Sequence, residues 1–374
     1  MQDNKKKIMV AMSGGVDSSV SVIILKNLGY EISGATMKLF SNKDIDINKN
    51  MDLDKDIDHK SKTCCALNDV FDAKNIAARF NFSHYVFNFS QDFFECVIKK
   101  FANEYINART PNPCLDCNKY IKFKKFLSRA MFLGYDYIAT GHYARIEYNK
   151  KLNRYLLKRA KDKSKDQTYF LYTMTQYELS KTIFPLGNLL KSEVRNIAQE
   201  NNLINAKKPD SQDICFIKNN SYSDFLYNKF NIKAEPGNFI DKSKKIIGKH
   251  KGIINYTIGQ RKKLGMSFNK HMYVIKKNKF DNSIMLGDEK DLYKNKLIAG
   301  EINLILIDKL KTKLKIKAKA RYSQNEVDAY ISPYEKDENK ILVEFLEPQR
   351  AISPGQAIVF YSGENVFGGG VILE

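Results

Sequence analysis

The chain has 374 residues, too many for one simple core, so two or three domains are expected. Hydrophobic residues make up 43 %, which excludes a disordered chain, and no apolar run approaches the roughly 18 residues of a membrane span. The net charge of +20 favours an anionic partner, most simply nucleic acid, although a lysine-rich proteome yields the same excess.

The N-terminus, Met1 to Lys7, lacks the apolar stretch of a signal peptide, so a cytoplasmic protein is expected. Its six cysteines then read as reactive or metal-binding rather than as a disulfide scaffold. Ile8 to Met12 is a short apolar run and predicts a buried strand. Ser13-Gly14-Gly15 breaks it, and Val16 to Leu28 follows as a helix, with Val16, Val20, Ile23, Ile24 and Leu28 at helical spacing and Gly29 as the stop. Strand, glycine turn and helix N-terminus together suit an anion. No Lys follows the last glycine, so the Walker pattern is excluded. SGGxDS instead resembles the PP-loop of enzymes that cleave ATP between its α- and β-phosphates; the plainer alternative is a βα turn of small residues. Asp17 reads either as a charge favourable to the helix dipole or as a group holding Mg²⁺ on pyrophosphate.

Ile32 to Phe40 predicts the second strand, with Met37 near its carboxyl end, where an open parallel sheet places its ligand crevice; plain packing is the alternative. Ser41 to Lys62 reads as a solvated loop with His59 at the surface. Thr63 to Phe80 predicts a helix on which Cys64 and Cys65 point apart as small buried residues. His84 to Phe87 is a third strand and Gln91 to Ala108 a third helix with Cys96 in its core. Two prolines make Thr110 to Asn118 a rigid loop that displays Cys114 and Cys117 ahead of a helix from Lys119 to Leu133. Near that helix start, Lys119 and Lys122 favour a Cys117 thiolate. A lone CxxC fits a redox pair or half of a metal site, and His142 is the only nearby histidine.

Tyr137 to Thr140 is a strand that delivers Gly141 to the crevice and His142 either to the crevice or to the core. Arg154 to Ala160 is a strand, Lys161 to Gln167 a polar turn, and Tyr177 to Lys181 and Lys191 to Asn201 are helices. The first domain is thus α/β, a doubly wound parallel sheet over residues 1–216. It ends on Pro209 to Ile217, where Cys215 reads equally as a nucleophile or a structural cysteine. Helix Tyr222 to Phe230 opens a small central domain, 217–286, of glycine-punctuated strands. Its basic loop Ile258 to Gly265 fits phosphate contact or a solvated turn. Residues 287–374 alternate short strands. In the clearest, Lys313 to Tyr322, apolar and basic residues alternate, which predicts a small C-terminal antiparallel barrel.

Taken together, AMSGGVDSS (Ala11 to Ser19), TPNPCLDCNKYIKF (Thr110 to Phe123), TGHYAR (Thr140 to Arg145), KDQTYFL (Lys165 to Leu171), PDSQDICFI (Pro209 to Ile217), YTIGQRKKLG (Tyr256 to Gly265), ARYSQ (Ala320 to Gln324) and SPGQA (Ser353 to Ala357) resemble the tRNA-specific 2-thiouridylases almost end to end. The two cysteine motifs in order make the match specific. The resemblance implies that Ala11, Met12, Ser13, Gly14, Gly15, Val16, Asp17, Ser18, Met37 and Gly141 contact ATP. It implies that Cys117 is the nucleophile, that Cys215 carries a persulfide, and that the two form a transient disulfide. Asn112, Pro113 and Cys114 would lie at the target base, and His142, Lys165, Asp166, Gln167, Arg321, Tyr322 and Gln356 at the tRNA. Some members carry Asp directly after the Asn-Pro pair for proton transfer; this chain has Cys114 there, with Asp116 two residues on.

The implied activity is that of a tRNA-uridine 2-sulfurtransferase: ATP-dependent 2-thiolation of the wobble uridine (position 34) through an adenylated uracil and a cysteine persulfide. ATP and Mg²⁺ are the implied cofactors, with no protein metal ligand assigned. Glutamate, glutamine and lysine tRNAs and a sulfur-relay protein or cysteine desulfurase are the implied partners, and no membrane. The alternatives are another PP-loop adenylating enzyme, which needs neither Cys117 nor Cys215, or a nucleic-acid-binding protein with a thiol or iron–sulfur switch on Cys114, Cys117 and Cys215.

Overall fold

A computed structural model describes residues 5–40, 67–210, 214–217 and 221–374. The expectations for His59, Cys64 and Cys65 lie outside these residues. The chain forms two compact units. The first is drawn from Met1–Val97, Cys114–Asn220 and Glu364–Val366, the second from Ile98–Pro113, Ser221–Gly363 and Phe367–Glu374.

The first unit is built on five parallel strands: β1 (Lys7–Ala11), β2 (Glu31–Lys38), β3 (His84–Asn88), β4 (Tyr137–Ala139) and, later in the chain, Thr182–Ile183. Their order is β3, β2, β1, β4, Thr182–Ile183. The chain moves outward in one direction from β1 to β3 and then returns to β1's other side as β4. The strand order therefore reverses between β1 and β4, and the crevice at such a reversal opens beyond the strands' carboxyl ends. Helix α1 (Val16–Asn27) leaves β1 at that point.

α1 does not bury a single stripe. Val16, Val20 and Ile23 join one core cluster with Tyr143, Leu186 and Val194, whereas Val22 and Leu25 join another with Ile8, Val10 and Ile32. Leu28, expected on the buried face, is 68 % exposed because the helix ends at Asn27 and Gly29 turns the chain away with φ +85°. Helix α2 (Leu67–Arg79) adds Ala73 and Ile76 to the second cluster.

The segment expected to be a rigid loop, Thr110 to Asn118, is a loop only as far as Asn112 and is helical from Pro113 onward. Pro113–Asp116 forms an α-turn, Cys117–Phe126 a π-helical stretch and Leu127–Phe132 an α-turn, together α3 (113–132). Pro113 sits at the first helical position, where its missing N–H costs nothing. The two thiols are thus on a helix rather than ahead of one. Cys96 is partly exposed rather than core, in another π-helical stretch, Phe94–Ile98. Helix α4 (Lys191–Glu200) packs on α1 through Val194 and Ala198.

In the second unit, helix α5 (Tyr222–Phe230) precedes four strands at Gly237–Ile240, Ile246–His250, Tyr273–Asn278 and Ser283–Gly287. Their core is Phe239, Tyr256, Leu264, Val274, Ile284 and Leu286. Six further strands follow: Tyr293–Leu304, Leu314–Lys319, Val327–Tyr334, Asp337–Arg350, Ala357–Ser362 and Asn365–Ile372. Antiparallel pairing of the first with the last closes them into a barrel. Ile316 and Ala318 point into it and Lys315 and Lys317 out, as the alternation predicted.

Candidate active site

The loop between β1 and α1 is folded on itself. The Ser18 hydroxyl donates to Gly15 O at 3.0 Å and accepts from Ser13 N–H at 3.3 Å, and the Ser19 hydroxyl also donates to Gly15 O at 2.9 Å. Gly15 is the N-cap of α1 and makes no side-chain cap bond, so the first amides of the helix are not used up by a capping side chain. Gly14 has φ +68°, and a Cβ there would lie 2.4 Å from Asp69 O. Behind the loop, Met12 N–H donates to Ala35 O at 2.8 Å and the Thr36 hydroxyl to Met12 O at 2.9 Å, fixing β1 against β2. Ala11, Met12 and Val16 are buried.

Gly141 follows β4 and touches the start of α1: a Cβ on it would meet Asp17 C and Ser18 N at 2.9 Å. Met37, half-buried near the carboxyl end of β2, pairs with Phe87 of β3. Of the expected nucleotide-binding residues, Ala11 to Ser18 and Gly141 are gathered at the β1–β4 reversal, and Met37 lies one strand away near the carboxyl end of β2.

Sequence reasoning missed what braces the loop. Asn205, 3 % exposed, donates through Nδ2 to Gly14 O and to the Ser19 hydroxyl, both at 3.0 Å. Lys208 Nζ donates to Gly14 O at 3.3 Å and is held by Asp69 at 2.6 Å and Asp72 at 3.0 Å. Burial works against this ammonium, but the two carboxylates outweigh it and raise its pKa. Asp17 is also tied down. Its carboxylate accepts from Lys191 Nζ at 2.7 and 2.9 Å and from the Tyr143 hydroxyl at 2.9 Å. Burial and then the Asp17 charge push the Tyr143 phenol far above its ordinary range. Lys191 also reaches Asp210 at 2.8 Å, and Asp210 is held in turn by Lys165 at 2.8 Å and Arg195 at 3.2 Å. Burial opposes ionisation of Asp210, but these lysines prevail and lower its pKa.

His142 packs against Phe123 and Phe184, with ring centroids 5.7 and 5.9 Å away. Thr140 Oγ1 lies 2.7 Å from its Nδ1 and Lys122 Nζ 3.5 Å from its Nε2. Burial, helped by the Lys122 charge, drives its pKa well below the ordinary value, so the ring is neutral. Asp166 and Gln167 are committed internally. Asp166 accepts from Ala160 N–H and the Thr168 hydroxyl, and Gln167 Oε1 from Tyr143 N–H.

Cys117 is buried and Cys114 exposed. The next residue after Cys117, Asn118, is 3 % exposed and donates to Phe170 O at 3.0 Å. Lys122 and Phe123 meet His142 just past β4, and Phe126 meets Phe87, with centroids 6.3 Å apart, so α3 lies along the carboxyl side of the sheet. Cys215 is partly exposed, and its neighbour Phe216 is fully buried against Phe93, centroids 5.8 Å apart; Phe93 in turn meets Phe40 at 5.9 Å. Phe40 and Phe93 follow the carboxyl ends of β2 and β3. Both thiols are thus carried by elements seated at the same sheet edge as the glycine loop.

In the second unit, Arg321 donates to Ala351 O at 2.5 Å and to the Ser353 hydroxyl at 2.9 Å, and Tyr322 is 39 % exposed. Gln356 Nε2 donates to Thr110 O at 2.9 Å, and Thr110 N–H donates to Pro354 O at 2.8 Å. The turn 353–356 therefore fastens the strand of chain leading to Asn112 and Pro113. Among the described residues, no three His, Cys, Asp or Glu side chains gather into a metal site, and no helix is long and apolar enough to cross a membrane.

Three family profiles match in succession: the tRNA methyl transferase HUP domain over residues 6–219, the tRNA methyl transferase PRC-barrel domain over 223–288 and the aminomethyltransferase beta-barrel domain over 294–372. The tRNA-specific 2-thiouridylase MnmA of Caldicellulosiruptor saccharolyticus is 50 % identical over 368 residues, 98 % of each chain. That of Acetivibrio thermocellus is 46 % identical over 369 residues, 99 % of each chain. MnmA 2 of Clostridium tetani is 47 % identical over 368 residues, 98 % of this chain and 99 % of its own. With the glycine loop at the sheet's reversal point and thiol-bearing elements along the same edge, these matches place the chain in the tRNA-specific 2-thiouridylase family.

Proposed function

We propose that the chain catalyses ATP- and Mg²⁺-dependent 2-thiolation of the wobble uridine of tRNA. The observation that carries this reading is the common sheet edge shared by the Ser13–Ser18 loop, α3 with Cys117, and Phe216 beside Cys215. In it, residues 1–216 are the catalytic domain, 217–286 a central domain and 287–374 a barrel that contacts tRNA.

Ala11 to Ser18, Met37 and Gly141 hold ATP. The uracil carbonyl oxygen attacks the α-phosphorus, pyrophosphate leaves, and a poor leaving group becomes a good one. The terminal sulfur of a Cys215 persulfide attacks carbon 2, and AMP departs. The Cys117 thiolate then attacks the Cys215 sulfur, which breaks the S–S bond, releases 2-thiouridine and leaves a Cys117–Cys215 disulfide for a cellular thiol to reduce. Mg²⁺, arriving with ATP, neutralises the phosphates. Asn112, Pro113 and Cys114 flank the base. His142, Lys165 to Gln167, Arg321, Tyr322 and Gln356 serve the tRNA, which the positive charge holds in a salt-dependent manner. The tRNAs are those for glutamate, glutamine and lysine, and a sulfur-relay protein or cysteine desulfurase charges Cys215.

The test is thiolation of unmodified transcripts of these tRNAs with ATP, Mg²⁺ and a persulfide source, with nucleosides read by mass. Product formed by wild type and lost in Cys117→Ala and Cys215→Ala supports the reading. ATP cleavage without a thiolated nucleoside moves it to another adenylating enzyme.

A further inference from the structure

The phosphate loop carries no lysine of its own, yet the structure brings one to it from 174 residues away. Lys191 is the first residue of α4, where a cation opposes the helix dipole, and it is only 9 % exposed. Stability does not account for it, since replacing a buried ion pair by apolar side chains is often neutral or favourable. Its backbone N–H is fixed by Asp162 Oδ2 at 2.9 Å, and its ring neighbour is Tyr143, 5.7 Å from Nζ to the centroid. Its ammonium rests on both oxygens of Asp17, the second residue of α1, and on Asp210. Asp17 in turn lies against Gly141. Asp210 does not depend on Lys191, because Lys165 and Arg195 hold it as well. Asp17, Asp162 and Asp210 thus face Lys165, Lys191 and Arg195, and only Lys191 bridges to the helix that the loop opens. The other lysine nearby, Lys208, spends its ammonium on Gly14 O, Asp69 and Asp72, which braces the loop itself.

We propose that Lys191 is the phosphate-binding lysine of this site, held on Asp17 and passed to the β- and γ-phosphates, and then to the leaving pyrophosphate, when ATP binds. Asp17 is in this account the anchor of that ammonium. The proposal rests on the reading of the loop as an ATP site, and pyrophosphate and AMP serve as probes because they divide the ligand at the bond that is cleaved.

The experiment measures binding of inorganic pyrophosphate and of AMP, each with Mg²⁺, by calorimetric titration of the full chain. A charge-assisted hydrogen bond lost to a phosphate corresponds to about a tenfold to hundredfold weakening. Lys191→Met is expected to weaken pyrophosphate binding by that factor and AMP binding by less than about twofold, with Lys191→Arg restoring most of it. The double variant Lys191→Met, Asp17→Asn removes one charge of each sign and is compared with Asp17→Asn alone; weaker pyrophosphate binding in the double variant than in that single variant identifies the ammonium itself. Equal weakening of both probes, unchanged pyrophosphate binding, or recovery in the double variant to the level of Asp17→Asn overturns the assignment. Should Lys191→Met fail to fold, Lys191→Gln in the Asp17→Asn background takes its place. A wild-type chain that binds neither probe nor ATP instead refutes the ATP reading on which the proposal stands.

Discussion

Gly14→Ala tests the architecture of the loop most directly. Two separable costs meet at this position. The first is backbone: φ is +68°, and an L side chain held in the left-handed region costs about 1–2 kcal/mol. The second is overlap: the new Cβ would lie 2.4 Å from Asp69 O and 2.7 Å from Asp69 Cα. Those are backbone atoms of α2, and α2 cannot back away, since Asp69 is 7 % exposed and paired with Lys208 at 2.6 Å. Overpacking of this kind costs about 1–3 kcal/mol. The sum is about 2–5 kcal/mol, or roughly 4–20 °C in the melting of the first unit at about 2–4 °C per kcal/mol for a domain of this class. Gly29→Ala is the internal control, because φ there is +85° but nothing lies within 4 Å of the added Cβ. The assay is differential scanning calorimetry with ATP titration alongside. The reasoning requires Gly14→Ala to melt well below Gly29→Ala and to lose ATP binding. Equal melting of the two variants would mean that α2 does not press on the loop, and the packing argument would fail.

Gln356→Ala removes the donor to Thr110 O while leaving the barrel core intact, so thiolation should fall several-fold in kcat measured at saturating tRNA, beyond any loss of tRNA affinity; an unchanged kcat at saturation would show that the turn 353–356 does not position the segment. His142, lowered by burial and then by Lys122, binds no proton in the folded state while the unfolded state takes one up below about pH 6.5. Its contribution is thus intact above that pH and is lost as the pH falls, and urea midpoints at pH 7.5 and 5.5 should converge in His142→Gln relative to wild type. Lys277, half-buried and donating to Tyr256 O at 2.9 Å, is pushed down to about 8 by desolvation. Between pH 8 and the unfolded value of about 10.4 the unfolded state holds the extra proton, so stability of the second unit should rise across that window and the rise should vanish in Lys277→Met.

The strand–turn–helix at residues 8–28 was legible because everything that makes it is local: an apolar run, two glycines and a helical period. Helix α5 matched its expected ends for the same reason. The CxxC segment was misread because two prolines were taken as loop signals, whereas Pro113 occupies the one helical position that tolerates proline without loss. Lys191, Tyr143, Asn205 and Lys208 were invisible for a different reason. They meet the loop from 126 to 194 residues away in sequence, and no periodicity encodes such an encounter. Lys191 did leave one trace, a cation at the start of a helix, where an acidic residue is favoured. A residue that breaks a local rule is worth reading as a residue kept for another purpose.

The sheet explains how residues so scattered in sequence reach one edge. Parallel strands that all end on one edge deliver whatever follows them to that edge: Ser13 to Ser18 after β1, Phe40 after β2, Phe93 after β3, and Gly141 with His142 after β4. Each then recruits a second element from its own side. Asp17 recruits α4 through Lys191, Phe93 recruits the Cys215 segment through Phe216, and His142 recruits α3 through Phe123. The glycine loop and the two cysteine-bearing elements are therefore not parts of a single loop. They hang from neighbouring strands of one sheet, so each can change without displacing the others. By this logic, substitution at Phe216 should disturb sulfur transfer while sparing pyrophosphate release, because Phe216 touches Phe93 and not the loop.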